Sequence, residues 1–235
     1  MIVNRYRYIE QLSRSKNNGL IKIITGLRRS GKSFLLKKLF HQHLLDEGVR
    51  EDHILVIDME SRKNREFKNP DYLLDWVEKM MIDYETYYII IDEVQEVEDF
   101  VEVLSSLSVT EGADVYVTGS NSRFLSSDLV TEFRGRGDEI HVWPLSFKEF
   151  MTVYDGSKED GWAEYRLYGG LPQLLTQVGD EKKADFLRRL YRTASWKRSI
   201  HVPVGSQKRM RLTVMRHWRQ PIFFSRVNPD TWLSG

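Results

Sequence analysis

Short apolar runs bounded by polar or glycine-bearing stretches recur through the first two thirds of the chain. They are "LIKIIT" (20–25), "HILVID" (53–58), "YYIIID" (87–92), "DVYVTG" (114–119) and "EIHVW" (139–143). Several lack the alternation of a half-exposed strand, so they predict parallel β-strands covered on both faces. Between them, "KSFLLKKLFHQHLLDEG" (32–48), "PDYLLDWVEKMM" (70–81) and "DFVEVLSSLS" (99–108) place apolar residues at helical spacing, and "SSDLVTEFRG" (126–135) is a further candidate. A leading helix is predicted within 4–15, closed by the turn residues "NNG". Strand–helix–strand order with short connections predicts an α/β fold built on a parallel sheet.

Beyond "PLSFKEFM" the strand pattern stops. "WAEYRLYGGLPQLLTQ" and "EKKADFLRRLYRTA" read as helical. The expected organisation is a core over 1–145, a small helical subdomain over 146–194 and a basic tail over 195–235. No internal repeat or low-complexity segment interrupts it.

Composition narrows the picture only in part. A chain of 235 residues buries a sizeable core, and the absence of cysteine excludes disulfides and thiolate metal sites. The N-terminus lacks a signal-peptide centre, and no apolar run approaches the ~20 residues of a membrane span, so a cytoplasmic protein without a membrane partner is expected. The net charge of +1 hides an asymmetry. Residues 186–235 hold 11 basic side chains and one acid, Asp230; residues 1–185 hold 24 basic and 33 acidic, or −9. A basic tail on an acidic body raises the question of a polyanionic or protein partner.

The chemistry is concentrated at "GLRRSGKS", Gly26 to Ser33, which fits G-x-x-x-x-G-K-[S/T] between a predicted strand and a predicted helix. Glycines let the backbone wrap an anion where a Cβ would obstruct it. Successive amides of Gly26, Leu27, Arg28, Arg29, Ser30, Gly31, Lys32, Ser33 and Phe34, with the positive end of the helix, then face the phosphates. Lys32 supplies a mobile charge for the β- and γ-phosphates, and Ser33 a hydroxyl for Mg²⁺. About sixty residues on, "YYIIIDEVQ" ends a buried strand in two acids, at the edge where open α/β sheets bind ligands. Asp92 is the expected partner in the metal shell, and Glu93 the residue that orients an attacking water. The strand "VYVTGSNSRF" is expected to lie between these two, offering Thr118, Ser120 and Asn121 to the γ-phosphate, although such a cluster is also an ordinary strand exit.

With the P-loop, "IIIDEVQ", "VTGSNSRFLSS" and "PLSFKEF" in this order, the chain resembles the AAA-like ATP-binding proteins of bacteria and archaea, from about Arg5 to Arg192. The resemblance implies a P-loop NTPase core with sheet order 5-1-4-3-2, a helical lid, and Mg²⁺-dependent hydrolysis of ATP. It matches Asp92 and Glu93 to the family's acidic strand end and Ser120–Asn121 to its sensor position. Arg134 and Arg136, in "EFRGRGDEIHV", match the place of an arginine finger, which implies a homo-oligomer; they equally fit a pair of solvated loop arginines. Pro172, in "YGGLPQLL", matches a segment that packs on adenine, and equally fits a proline starting a helix. Members of that group continue into a second domain, whereas here the resemblance ends near residue 192. Three accounts fit the tail: an arm for nucleic acid, a remnant that folds on a partner, or out-of-frame translation. The abrupt change of residue usage favours the last.

The expected activity is ATP hydrolysis, and the rival is a nucleotide-dependent switch or scaffold with negligible turnover. A nucleic-acid-binding role would rest on the tail alone. His41 and His43 fall on different helix faces and read as solvated; Asp58 and Glu60, at the end of the second strand, could approach the site, although strand-end acids usually do not.

Overall fold

The structure is a computed structural model that describes residues 2–119, 133 and 137–193. The expected helix at 126–135, Ser120, Asn121, Arg134, Arg136 and the tail over 195–235 lie outside the described residues, apart from Phe133. Helix α1 (Tyr6–Arg14) leads into β1 (Ile21–Thr25). The glycine-rich loop follows, then a helical run over 32–46, here α2, whose middle, Leu35–Phe40, is π-helical. Next come β2 (Ile54–Asp58), α3 (Pro70–Met80), β3 (Tyr87–Asp92), α4 (Phe100–Ser108) and β4 (Ala113–Thr118). After β5 (Gly137–His141), three helices close the described chain: α5 (Phe147–Met151), α6 (Lys158–Tyr168) and α7 (Asp180–Thr193).

All five strands are parallel, in the order β2-β3-β4-β1-β5. This is the expected 5-1-4-3-2 order read from the other edge, in a P-loop NTPase fold. Alternating side chains feed two cores. Ile21, Ile23, Ile89, Ile91, Val115 and Val117 meet α3 and α4 through Leu73, Val77, Val103 and Leu104. On the opposite face Ile24, Ile90 and Tyr116 meet α1 and α2 through Leu12, Leu36, Phe40 and Leu44. Because β3 is buried at every position, both faces of its sequence are apolar. This doubly covered sheet fixes the carboxyl ends of β1, β3 and β4 side by side.

Local sequence sets the ends of the elements. Asn69 accepts from the Tyr72 amide at 2.9 Å and Pro70 opens α3. Ser146 and Glu149 form a reciprocal capping box on α5. The run expected to be helical over 162–177 is not one element. Helix α6 stops at Tyr168, and Pro172–Thr176 forms a separate 3-10 turn. The reason lies at Gly170, whose carbonyl accepts from the Leu145 amide at 2.7 Å. A Cβ there would stand 2.0 Å from the Leu145 carbonyl oxygen, so the chain must be glycine and cannot remain helical while it makes that contact.

At the amino edge of the sheet, opposite the loop, His53 is 2 % exposed and stacked on Tyr87 at 4.3 Å between centroids. Its Nδ1 pairs with Asp52 at 2.9 Å and its Nε2 with Asp83 at 3.1 Å. Burial alone would lower its pKa, but hydrogen bonds to the two carboxylates outweigh that and hold it above the ordinary value. No described helix is long and apolar enough to cross a membrane.

Candidate functional site

Strand β1 delivers the loop at its carboxyl end, and the loop's shape follows from two residues without a side chain. Gly26 has φ +135°, and a Cβ on it would come 2.2 Å from the Val142 carbonyl oxygen. Gly31 has φ +100° and caps α2 in the left-handed region, turning the chain at once into the helix. Arg29, at φ +68°, adds a left-handed residue inside the loop. Such alternation turns consecutive amides toward a common concavity that suits an anion.

Lys32 sits on the first turn of α2 and is buried. Its Nζ donates to the carbonyls of Gly26 at 3.0 Å and Leu27 at 3.1 Å, both within the loop it closes. Burial lowers its pKa, while the nearby charges of Glu93 and Asp92 act in the opposite sense. Ser33 is half-buried; Leu27, Arg28, Arg29 and Phe34 are exposed along the rim. Ser30 is enclosed, with a buried hydroxyl oxygen that has no hydrogen-bond partner among the described residues.

The carboxylates arrive on β3. Asp92 is 1 % exposed, and its Oδ1 accepts from the Thr118 hydroxyl at 2.6 Å. Thr118 accepts in turn from the Glu93 amide at 3.0 Å. The hydroxyl expected to face a γ-phosphate is therefore committed to the neighbouring strand's acid, because β3 and β4 are adjacent in register. Glu93 lies at φ +59°, ψ +51°, a left-handed conformation that costs a non-glycine residue roughly 1–2 kcal/mol. Gln95 donates to Glu93 Oε2 at 2.5 Å, so Glu93 is held at both its amide and its carboxylate.

Two basic residues were not expected here. Lys37 Nζ lies 2.7 Å from Asp92 Oδ2 and 2.7 Å from Asp58 Oδ2. Asp58, which as a strand-end acid could approach the site, does so because β2 and β3 pair Asp58 with Asp92 in register. Glu60 is exposed beside it. Burial would lower the pKa of Lys37, but hydrogen bonds to the two acids raise it above the ordinary lysine value. The other residue is Arg5, buried under the loop. It donates to the Ser30 carbonyl at 3.1 Å, the Trp143 carbonyl at 2.8 Å and Glu149 Oε1 at 2.9 Å. One guanidinium thus joins the N-terminal segment, the loop, the exit of β5 and α5. A lysine on an amphipathic helix reads as a solvated face, and Arg5 precedes its partners by 25 to 144 residues, so periodicity alone marks neither.

Pro172 is brought to the loop: its Cγ would lie 3.7 Å from a Cβ at Gly31. Arg29 stacks over the Phe186 ring of α7 at 5.1 Å. The helices after residue 146 therefore reach the rim of the loop.

Comparison with known proteins gives a family. A family model described as "AAA domain" matches residues 18–151, more than half of the chain. An uncharacterized protein of Haemophilus influenzae is 35% identical over 180 residues, which cover 74% of this chain and 45% of that protein. An uncharacterized protein of Methanocaldococcus jannaschii is 26% identical over 177 residues, covering 68% and 37%. The chain thus spans less than half the length of these relatives. Among solved structures, a DNA polymerase III gamma subunit-related protein from Thermotoga maritima aligns with a TM-score of 0.43 and 17% identity, over 81% of this chain and 62% of that one.

Proposed function

The chain belongs to the AAA domain family, and from that premise we propose that it binds ATP with Mg²⁺ at the loop of β1 and hydrolyses it to ADP and phosphate. The observation that carries this reading is Lys32: a buried ammonium turned onto carbonyls of its own loop, inside a concavity made by two glycines. A buried ammonium whose hydrogen bonds among the described residues go to neutral carbonyls suits an anion.

In this reading the amides of residues 26–34 surround the triphosphate, and Lys32 leaves the Gly26 and Leu27 carbonyls for the β- and γ-phosphate oxygens. Ser33 and Asp92 hold the metal, and the fit is chemical: a hydroxyl and a carboxylate are hard oxygen donors. Magnesium supplies charge neutralisation across the terminal phosphates. Glu93, fixed through its amide by Thr118 and through its carboxylate by Gln95, orients the attacking water. Pro172, close to Gly31 of the loop, would pack on the base. Arg134 or Arg136 would act on a neighbouring copy's nucleotide, and Ser120 and Asn121 would sense the γ-phosphate. The helical lid over 146–194 closes on the rim through Arg29 and Phe186. The cytoplasm is the expected address, and the tail the expected contact for a polyanion or protein partner.

Phosphate release by wild type, Glu93→Gln and Lys32→Ala tests this. The expected result is ATP binding without Lys32 lost to background, and Glu93→Gln that still binds ATP but turns over at least about a hundredfold more slowly. Equal inactivity of wild type and Glu93→Gln, with binding intact, would replace hydrolysis by a nucleotide-operated switch.

A further inference from the structure

The buried acid that the proposed function assigns to magnesium already has a cation on it. Asp92 Oδ1 is taken by Thr118, so Oδ2 is the oxygen left for a metal shell, and Lys37 sits on that oxygen. The same ammonium reaches Asp58 at an equal 2.7 Å. The two acids are register partners on adjacent parallel strands, so their side chains leave the sheet on the same face. They differ in exposure: the Asp92 side chain is 2 % exposed, whereas Asp58 is 36 % and Lys37 23 %. An ammonium moving from Asp92 to Asp58 alone therefore moves toward water and keeps one carboxylate contact throughout.

The geometry points to Lys37 as a positioning residue that holds the place of the divalent ion on Asp92 and withdraws onto Asp58 when that ion arrives. The inference rests on the reading of Asp92 as the metal carboxylate. Its physical need is plain. An enclosed carboxylate with no cation is costly, and a lysine bound there permanently would bar the metal. A second acid next door resolves the conflict, since the lysine is never stranded in either state. Lys37 thereby sets how much magnesium the site requires, and Asp58 sets how readily Lys37 yields.

The test is binding of a fluorescent ATP analogue to the full chain, titrated with magnesium, for wild type, Lys37→Met, Lys37→Arg and Asp58→Asn. Removing the internal competitor lowers the magnesium midpoint, by about tenfold for one unit charge at this range. Removing its alternative partner leaves Lys37 wholly on Asp92 and raises the midpoint severalfold. Lys37→Arg keeps the charge and stays near wild type. Opposite shifts of the two variants, read with thermal unfolding as a check on folding, support the exchange; a loss of packing would move both the same way. If Lys37→Met fails to fold, the sign of the Asp58→Asn shift decides. Shifts in one direction, or none in protein that binds the analogue, overturn the role of Lys37 and leave the ATP reading intact. Wild type that never binds the analogue overturns both.

Discussion

Single residues at the loop separate two kinds of constraint. At Gly26 a side chain is barred by space as well as by conformation, because Val142 has its backbone in the way and its amide is itself pinned, donating to the Thr25 carbonyl at 2.8 Å. At Gly31 the nearest atoms, Pro172 Cγ and Arg5 Nη1, leave ordinary contact distances of 3.7 and 3.8 Å, so only the backbone conformation objects. Gly26→Ala is therefore expected to lose about 2–4 kcal/mol, and Gly31→Ala about 1–2 kcal/mol, in urea unfolding. The order matters more than the values: Gly31→Ala more damaging than Gly26→Ala would contradict the described loop. At the same scale Thr118→Val removes a hydroxyl from an enclosed acid and frees the Glu93 amide. A loss of about 1–3 kcal/mol is expected, with a further fall in turnover at saturating ATP as Glu93 loses its fixed backbone.

Elements were the scale most legible in the sequence. The five strands lie within two residues of their expected limits because covered parallel strands leave unbroken apolar runs; Tyr87–Asp92 is the clearest. The loop was legible for a related reason, since anion chemistry dictates residue types at fixed spacing. Three things were not. The helix expected over 162–177 stops at Tyr168, because the contact of Gly170 with Leu145 outweighs local helical preference. Lys37 and Asp58 join the site through register, which periodicity does not encode. Arg5 joins α1, the loop and α5 across the whole length of the core. Its importance is checked by Arg5→Ala: the half-buried Glu149 partner and two carbonyls lose their donor, and about 1–3 kcal/mol of stability is expected to go in chemical unfolding. Arg5→Lys, with one charge but no fork, is expected to recover only a part of it.

For the whole molecule, the two edges of the sheet have separate duties. The carboxyl edge holds the loop and the acids, while the amino edge is tied by His53 with Asp52 and Asp83. His53 has a raised pKa in the folded state, so its contribution is complete below its ordinary value of 6.5 and is lost as pH rises through the folded value. Asp52 is lowered to about 2, chiefly by its hydrogen bond to Arg50, so its contribution is present above 3.8 and fades as pH falls toward 2. Unfolding midpoints are expected to peak between those limits, and His53→Gln to flatten the decline on the alkaline side of pH 6.5. An unchanged alkaline decline in that variant would place the sensitivity elsewhere.

The enclosure of Arg5 has a practical consequence. Trypsin must seat an arginine side chain in its own pocket before it can cut, and this one is occupied under the loop, 4 % exposed. Scission after Arg5 therefore requires the segment to peel away first, and its rate counts how often that happens. The shortened polypeptide, weighed against intact material over time, becomes a clock for the opening of the nucleotide cradle, one that needs no label and no turnover.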